Sequence, residues 1–360
     1  MREAFELARG GLESVSPNPM VGVVIVKGGR VVGRGFHSRF GGPHAEVEAL
    51  AATRDASGAD VYVSLEPCGH HGKTPPCADA LIEAKVARVF YSAADPNPET
   101  YGKGPRRMRK HGIEVRGRIL LREGLELNAP YFHWRRTGRP WVILKWAMTL
   151  DGKIATVGGE SKWITGARAR NWAHGVRRRV DAIVVGTRTA LVDDPRLTPR
   201  PARGRKPLRI VLDRRGRLPL ELVLLDENLE RAGSGPRLYV VGKTATARRR
   251  REVERRGLEV LVLTERRGQL DLEALLDVLG ERGVSQILVE GGGDLVGSFV
   301  DKGLVQELIA FIAPRVFGGR EAPTAVGGRG FEKLADTLKL ERVEQQSVGD
   351  DLIVRGVVSR

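Results

Sequence analysis

Cysteine is nearly absent from this 360-residue chain, which has only Cys68 and Cys77. So few exclude a disulfide-stapled scaffold, and the pair is read first as a metal or redox feature. No segment approaches the roughly 18 consecutive apolar residues of a helical membrane span. Met1-Arg2-Glu3-Ala4-Phe5-Glu6-Leu7 has an amphipathic helical rhythm and lacks the apolar stretch of a signal peptide, so a soluble, cytoplasmic protein is expected. Aromatic residues are scarce at 5%. None interleaves with the densest basic run, Arg248 to Arg251 with Arg255 and Arg256, which also contains Glu252 and Glu254. Binding of single-stranded nucleic acid wants stacking platforms, so this run reads as one exposed helix. Nor does a G-x-G-x-x-G follow any predicted strand, which leaves an ordinary Rossmann nucleotide site unsupported.

Hydrophobic residues make up 41% of the chain, ample for buried cores, and the length favours two domains. The net charge of +16 suits anionic small molecules that carry phosphates, or an Arg-rich solvated surface, and is compatible with nucleic acid. Val21 to Val26, the turn Lys27-Gly28-Gly29-Arg30 and Val31 to Gly35 read as a hairpin. A helix over His44 to Ala52, a strand over Asp60 to Leu65, a helix over Ala78 to Lys85 and a strand over Val86 to Tyr91 follow. This order predicts an α/β domain with a mixed sheet. The pattern changes between Asn128 and Arg139, which places a boundary near Gly138 and two domains at 1–138 and 139–360. Beyond it, apolar runs at Trp141 to Trp146, Ala182 to Val185, Leu208 to Leu212, Leu238 to Val241, Val260 to Leu263, Ile287 to Val289, Leu308 to Ile312 and Leu352 to Val358 predict a second α/β domain. Helices are expected over Asp271 to Leu279 and Asp294 to Val300, and Pro195 to Pro207 reads as a loop.

The chemistry concentrates in His44-Ala45-Glu46 and Pro67-Cys68, with Cys77 downstream. His44, Cys68 and Cys77 supply three ligands for a catalytic zinc, which keeps its fourth position open for water and brings that water's pKa to roughly 7. Glu46 is then the free carboxylate that carries a proton from the water to the ring nitrogen and the departing amine. Residues two apart diverge in mid-helix, so His44 and Glu46 must both act from a first helical turn. Cys77 likewise precedes a predicted helix, whose N-terminus would favour a thiolate. H-x-E with P-C-x-x-C marks the zinc deaminases. Here eight residues, not two, separate the cysteines.

The segment Pro67-Cys68-Gly69-His70-His71-Gly72-Lys73-Thr74-Pro75-Pro76-Cys77, with Ser16-Pro17-Asn18-Pro19-Met20-Val21-Gly22 and Gly35-Phe36-His37, resembles the deaminase domain of the bifunctional riboflavin biosynthesis proteins. Gly69 stands where these proteins more often carry a small hydroxyl residue, an exchange expected to be harmless. The second half is similar to the reductase domain of the same family in Leu144 to Ala155, Ser161-Lys162-Trp163-Ile164-Thr165, Thr189 to Pro195 and Ile287-Leu288-Val289-Glu290-Gly291-Gly292-Gly293-Asp294. The resemblance implies a cytidine-deaminase-like three-layer α/β/α domain followed by a dihydrofolate-reductase-like α/β domain.

It further implies that Asn18, His37 and Lys73 meet the pyrimidine substrate or its phosphate. The nicotinamide cofactor would lie near Ala147, Trp163, Thr189, Asp193 and Gly292, Gly293, Asp294, Leu295, Val296 and Gly297. The sugar-phosphate substrate would meet Lys145, Ser161, Arg177, Leu197, Arg200 and Glu290. Local chemistry leaves alternatives open. Arg177 and Arg200 suit a phosphate clamp, because a guanidinium pairs two oxygens at once. Arg177 equally belongs to a basic helix face and Arg200 to a loop. Glu290 holds ribose hydroxyls or caps the following helix, and Trp163 is a cofactor contact or plain core. Lys145, expected to be cationic at a strand end, is the candidate proton donor for the reduction.

The resulting expectation is a homo-oligomeric enzyme of riboflavin biosynthesis with one Zn2+ per deaminase domain and NADPH at the reductase. It would deaminate a diaminopyrimidine ribose phosphate, then reduce the ribosyl to a ribityl chain, with no nucleic-acid or membrane partner. Two rivals share the zinc motif: a nucleic-acid-editing deaminase with a basic second domain, and a zinc-stabilised binding protein. The long inter-cysteine loop argues against the first. A free Glu46 argues against the second, since structural zinc sites close the fourth position with another ligand.

Overall fold

The computed structural model describes residues 1–71, 75–201, 204–226, 228 and 234–359. The chain divides into two compact units, Met1–Gly138 and Arg139–Arg360. The last helix of the first unit, Ala129–Thr137, ends at Gly138, whose φ of 73° terminates it in the left-handed region that glycine adopts without a Cβ penalty. No helix among the described residues is long and apolar enough to cross a membrane.

In the first unit, helix α1 (Arg2–Ala8) precedes strands β1 (Gly22–Lys27) and β2 (Arg30–Phe36). Their hairpin turns on Gly28 and Gly29, both at positive φ, as a tight two-residue connection requires. Helix α2 (Ala45–Ala51), strand β3 (Asp60–Leu65), helix α3 (Cys77–Glu83) and strand β4 (Arg88–Ala93) follow. Helix α4 (Lys103–Lys110), strand β5 (Glu114–Arg116) and helices α5 (Leu121–Leu127) and α6 (Ala129–Thr137) complete the unit. The sheet order is β2-β1-β3-β4-β5, antiparallel through β1 and parallel from β3 to β5. Val23, Ile25, Val61, Val63, Val89 and Val115 form one buried cluster with Ala45 and Ala49 of α2, Ala78 and Leu81 of α3 and Met108 of α4. Alternate strand residues sharing one face produce this cluster.

Sequence patterning missed α4, β5, α5 and α6. Basic residues fill most of α4, and its Met108 alone contributes a large apolar side chain to the core cluster. The Asn128–Arg139 stretch, read as a boundary, is largely helix α6, which Asn128 anchors. The buried Asn128 carboxamide donates to the Met20 carbonyl (2.9 Å) and accepts from the Met20 N–H (2.8 Å).

The second unit holds β6 (Trp141–Thr149), α7 (Ala167–Arg177), β7 (Ala182–Gly186), α8 (Thr187–Asp193), β8 (Leu208–Leu212) and β9 (Arg237–Gly242). Next come α9 (Ala247–Arg255), β10 (Glu259–Leu263), a small hairpin of β11 (Glu265–Arg266) and β12 (Gln269–Leu270), α10 (Leu272–Glu281) and β13 (Gln286–Glu290). Helix α11 (Gly293–Asp301) and strands β14 (Glu307–Ala313), β15 (Leu340–Val348) and β16 (Asp351–Val358) end the chain. The nine-stranded sheet runs β10-β9-β8-β7-β13-β6-β14-β16-β15 and is parallel except for its last two pairings. Buried strands read as unbroken apolar runs, which is why eight of the nine were legible. The edge strand β15 was not, because its interior is solvent-exposed and polar.

The arginine-rich helix α9 is partly tied to its own unit. Arg249 donates to the Leu218 carbonyl and pairs with Glu252, and Arg256, just past the helix, donates to the Leu220 carbonyl and pairs with Glu221.

The packing around Gly69 shows why glycine suits this position. A Cβ on Gly69 would lie 2.5 Å from the Gly104 nitrogen, and one on Gly104 would lie 1.9 Å from the Pro67 carbonyl oxygen. The start of α4 and the cysteine loop therefore meet backbone to backbone. Gly69→Ser should destabilise the first unit by about 1–3 kcal/mol, the usual range for overpacking. Denaturant unfolding of the intact chain checks this, and an unchanged midpoint for that unit would show that α4 has room to move.

Candidate functional site

In the first unit, two helix starts converge. His44 is the N-cap of α2, with extended backbone (ψ 159°), and Glu46 follows in the first turn. Cys77 opens α3 behind the N-cap Pro76, and Cys68 stands three residues beyond the end of β3. His44 Nδ1 lies 2.9 Å from Cys77 Sγ and 3.6 Å from Cys68 Sγ, and the two sulphurs are 3.4 Å apart. All three ligand atoms fall within 4.8 Å of one another, the only such grouping of potential metal ligands among the described residues. Two soft thiols and an imidazole around one point fit zinc, with three ligands and an open position.

Glu46 is outside that ligand set and 3% exposed. Burial, reinforced by the neighbouring Cys68 thiolate, pushes its carboxyl up to about 7. The hydrogen bond with Cys77 holds the Cys68 thiol below its usual range, towards the thiolate that metal ligation requires, while the same bond and burial push Cys77 up.

The structure brings Asn18 and His37 together beside this cluster. His37 Nδ1 is 2.8 Å from the Pro43 carbonyl, which can only accept, so Nδ1 carries the proton. Burial lowers the His37 pKa and favours the neutral ring, whose Nε2 then accepts from Asn18 Nδ2 at 3.1 Å. The His37 and His44 rings meet edge to face at 5.6 Å. Lys73 lies outside the described residues. Glu66, just before Pro67-Cys68, was not singled out from sequence. It accepts hydrogen bonds from the Asp95 and Gly102 N–H groups and so ties the cysteine loop to the approach to α4. Nothing in the sequence distinguished it from any other strand-end carboxylate.

In the second unit, Glu290 at the end of β13 is the parallel-register neighbour of Lys145 in β6. Arg177 of α7 grips Glu290 through Nε (2.7 Å) and Nη2 (2.6 Å) and donates Nη1 to the Thr198 carbonyl (3.2 Å). The structure thus changes the reading of both residues. The Arg177 fork is held by protein, not left free as a phosphate clamp. Glu290 does not cap α11, whose N-cap is Gly292. Burial alone would raise the Glu290 carboxyl, but Arg177 and Lys145 outweigh it and hold the group at about 2. Burial lowers the Lys145 pKa against the pull of Glu290, and its ammonium lies 5.0 Å from the Phe311 ring centroid.

Other assigned residues sort by exposure. Trp163 is 64% exposed under the Arg170 guanidinium (4.4 Å), which corrects the core reading. Leu197 is 1% exposed and offers almost no open surface. Arg200 is exposed. Ser161 Oγ donates to Asp193 at 3.4 Å, and Thr189 Oγ1 accepts from the Gly292 N–H at 3.0 Å. Ala147 lies in β6, half-buried. At the start of α11, Gly292, Gly293, Asp294 and Leu295 remain at least partly accessible, whereas Val296 and Gly297 are buried. Gly293 and Gly297 are required by close packing, since a Cβ on either would fall 2.4 Å or less from the Thr324 or Gly327 backbone. His174, one turn before Arg177, was missed by the sequence reading. Burial and the charges of Arg177 and Arg200 lower it to about 4.

Residues 1–93 match the cytidine and deoxycytidylate deaminase zinc-binding region, and residues 140–354 match the RibD C-terminal domain. The chain is 41% identical over 359 residues to the riboflavin biosynthesis protein RibD of Actinobacillus pleuropneumoniae, covering 99% of this chain and 94% of the relative. The solved RibD of Acinetobacter baumannii superposes with a TM-score of 0.88 at 36% identity, over 100% of this chain and 98% of that one. A Thermotoga maritima diaminohydroxyphosphoribosylaminopyrimidine deaminase/5-amino-6-(5-phosphoribosylamino)uracil reductase gives 0.84 at 35% identity, over 100% and 97%. A zinc-binding deaminase unit joined to a reductase unit, matched end to end, makes this chain a member of the RibD family of bifunctional riboflavin biosynthesis enzymes.

Proposed function

We propose that the chain carries out two consecutive steps on one small molecule. The first is hydrolytic deamination of 2,5-diamino-6-(5-phosphoribosylamino)pyrimidin-4-one, and the second is NADPH-dependent reduction of its ribosyl group to ribityl. The observation that carries the reading is the convergence of His44, Cys68 and Cys77 beside a buried, non-ligating Glu46. Zinc held by those three residues supplies the Lewis acidity that makes water a nucleophile near neutrality. Glu46, with a pKa near the working pH, takes the proton and returns it to the ring nitrogen and the leaving ammonia. His37, fixed as the Nδ1–H tautomer, orients the Asn18 carboxamide so that its oxygen is left to accept from the pyrimidine. Lys73 serves the same substrate in this reading.

In the reductase, a bound nicotinamide supplies the hydride that reaches ribose C1. The chain's part is to hold the sugar and move protons. Glu290, locked by Arg177, presents an ionised carboxylate to ribose hydroxyls. Lys145, beside it and with its ammonium weakened by burial, delivers a proton to the ring oxygen as the sugar opens. Phosphate recognition passes to the exposed Arg200, with Ser161 and the neighbourhood of Leu197 completing the substrate contacts. Ala147, Trp163, Thr189, Asp193 and the start of α11 hold the cofactor in this reading, which also places a homo-oligomer in the cytoplasm. The match of residues 140–354 to a reductase domain argues against the nucleic-acid-editing rival.

Three outcomes test these roles, with ammonia release and NADPH oxidation followed together on the zinc-loaded protein. Glu46→Gln should retain zinc and lose roughly 10²- to 10⁴-fold in deamination, while reduction of the pre-deaminated compound continues. Undiminished ammonia release from that variant would remove Glu46 from proton transfer. Lys145→Ala should do the reverse, losing reduction and keeping deamination. Arg177→Lys preserves charge but not the fork on Glu290, so it should cost at least tenfold in reductase kcat/KM. Wild-type kinetics there would show that the bidentate pair is dispensable.

A further inference from the structure

Outside the His44, Cys68 and Cys77 cluster, a cavity of about 510 Å3 opens at the carboxyl ends of β3 and β4. Glu66 and Tyr91 line it from the sheet, Tyr101 from the following loop, and Arg106, Arg109 and Lys110 from α4. The three cations stand at i, i+3 and i+4, so they share one helical face. Arg107, which falls off that face, is ion-paired with Asp79 at 2.6 Å. None of the other three lies within ion-pair distance of a carboxylate among the described residues. Glu66 feels the charge of Arg109 but forms no ion pair with the three, and its oxygens accept from the Gly102 and Asp95 backbone.

Basic residues near a helix C-terminus favour the helix dipole, and that accounts for cations in the last turn of α4. It does not account for three of them facing one concavity with two phenols. Carboxyl ends of parallel strands are where α/β sheets receive ligands. Guanidinium, ammonium and phenol donors together match the oxygens of a phosphate better than they match any neutral ligand. We propose that this cavity is a phosphate-binding subsite for a phosphorylated small molecule, with Arg106 and Lys110 as its principal donors. Arg109 contributes charge while anchored to the Val115 carbonyl at 2.9 Å. The phosphate belongs either to the deaminase substrate or to a separate phosphorylated metabolite.

The test is acetylation footprinting of Lys110 in the full-length, zinc-loaded protein, read by mass spectrometry. Inorganic phosphate should slow Lys110 acetylation relative to sodium chloride at equal ionic strength. Arg106→Ala should raise the half-protecting phosphate concentration about tenfold, as expected for losing one hydrogen bond to a charged group. Arg107→Ala should leave it unchanged. Unprotected Lys110 in the wild type, or full protection in Arg106→Ala, overturns the proposal. The same footprint with the diaminopyrimidine ribose phosphate, on Glu46→Gln to prevent turnover, identifies the source. Protection by both compounds assigns the subsite to the substrate, and protection by inorganic phosphate alone assigns it to a separate ligand. The inorganic-phosphate arm does not depend on the deaminase reading, so the two can fail separately.

Discussion

Two sulphurs 3.4 Å apart, with an imidazole nitrogen 2.9 Å from one of them, are not placed so by packing demands. Burying Cys77 and partly burying His44 and Cys68 in this way gains little hydrophobic stabilisation and crowds polarisable atoms into one point. The arrangement follows from where three segments end or begin. Strand β3 stops at Leu65, α2 starts just after His44 and α3 starts at Cys77. Each ligand sits at a terminus, where the backbone changes direction and a side chain can leave the layer it would otherwise share. Helix starts also contribute orphan N–H groups, and the Cys77 N–H lies 3.3 Å from Cys68 Sγ. The metal site is therefore a consequence of strand direction: β2 and β3 run the same way on either side of antiparallel β1, and so deliver one strand end and two helix starts to the same edge.

The same edge logic builds the second unit, with charge in place of sulphur. Glu290 and Lys145 end up adjacent because β13 and β6 pair in parallel with matched register. A carboxylate and an ammonium removed from water this way need further partners, or desolvation would neutralise them. Arg177 provides the strongest of these with two hydrogen bonds, and its own third donor is spent on Thr198. The pair holds Glu290 ionised far below neutrality while Lys145 is weakened. The result is a rigid carboxylate beside an ammonium whose charge burial disfavours.

What the sequence revealed depended on how local each signal was. His44, Glu46, Cys68 and Cys77 were legible because the chemistry fixes residue type, and because the chain's only cysteines complete the set. Buried parallel strands announced themselves as apolar runs. The roles of Arg177, Glu290 and Gly69 were not legible, since each depends on a partner far away in sequence or across a loop. Arg177 looks like any arginine on a basic helix until Glu290, 113 residues on, is seen within its fork. The sequence alone gives no sign that the α4 backbone packs against Gly69. Exposed or polar elements such as β15 and α4 carry few large apolar side chains, so apolar patterning had little to register.

The high positive charge is best understood residue by residue. Many arginines are paired or bonded within their own unit: Arg88 with Asp60, Arg139 with Asp277, Arg205 with Asp181, Arg214 with Glu265 and Arg355 with Glu307. Others, such as the fully buried Arg209, satisfy backbone carbonyls where a chain segment crosses the sheet. Such arginines act as structural donors, with five N–H groups apiece that do not depend on pH. A net charge of +16 is therefore weak support for a polyanionic partner. The cations that bear on ligands are the few that converge on a concavity without an ion-pair partner among the described residues.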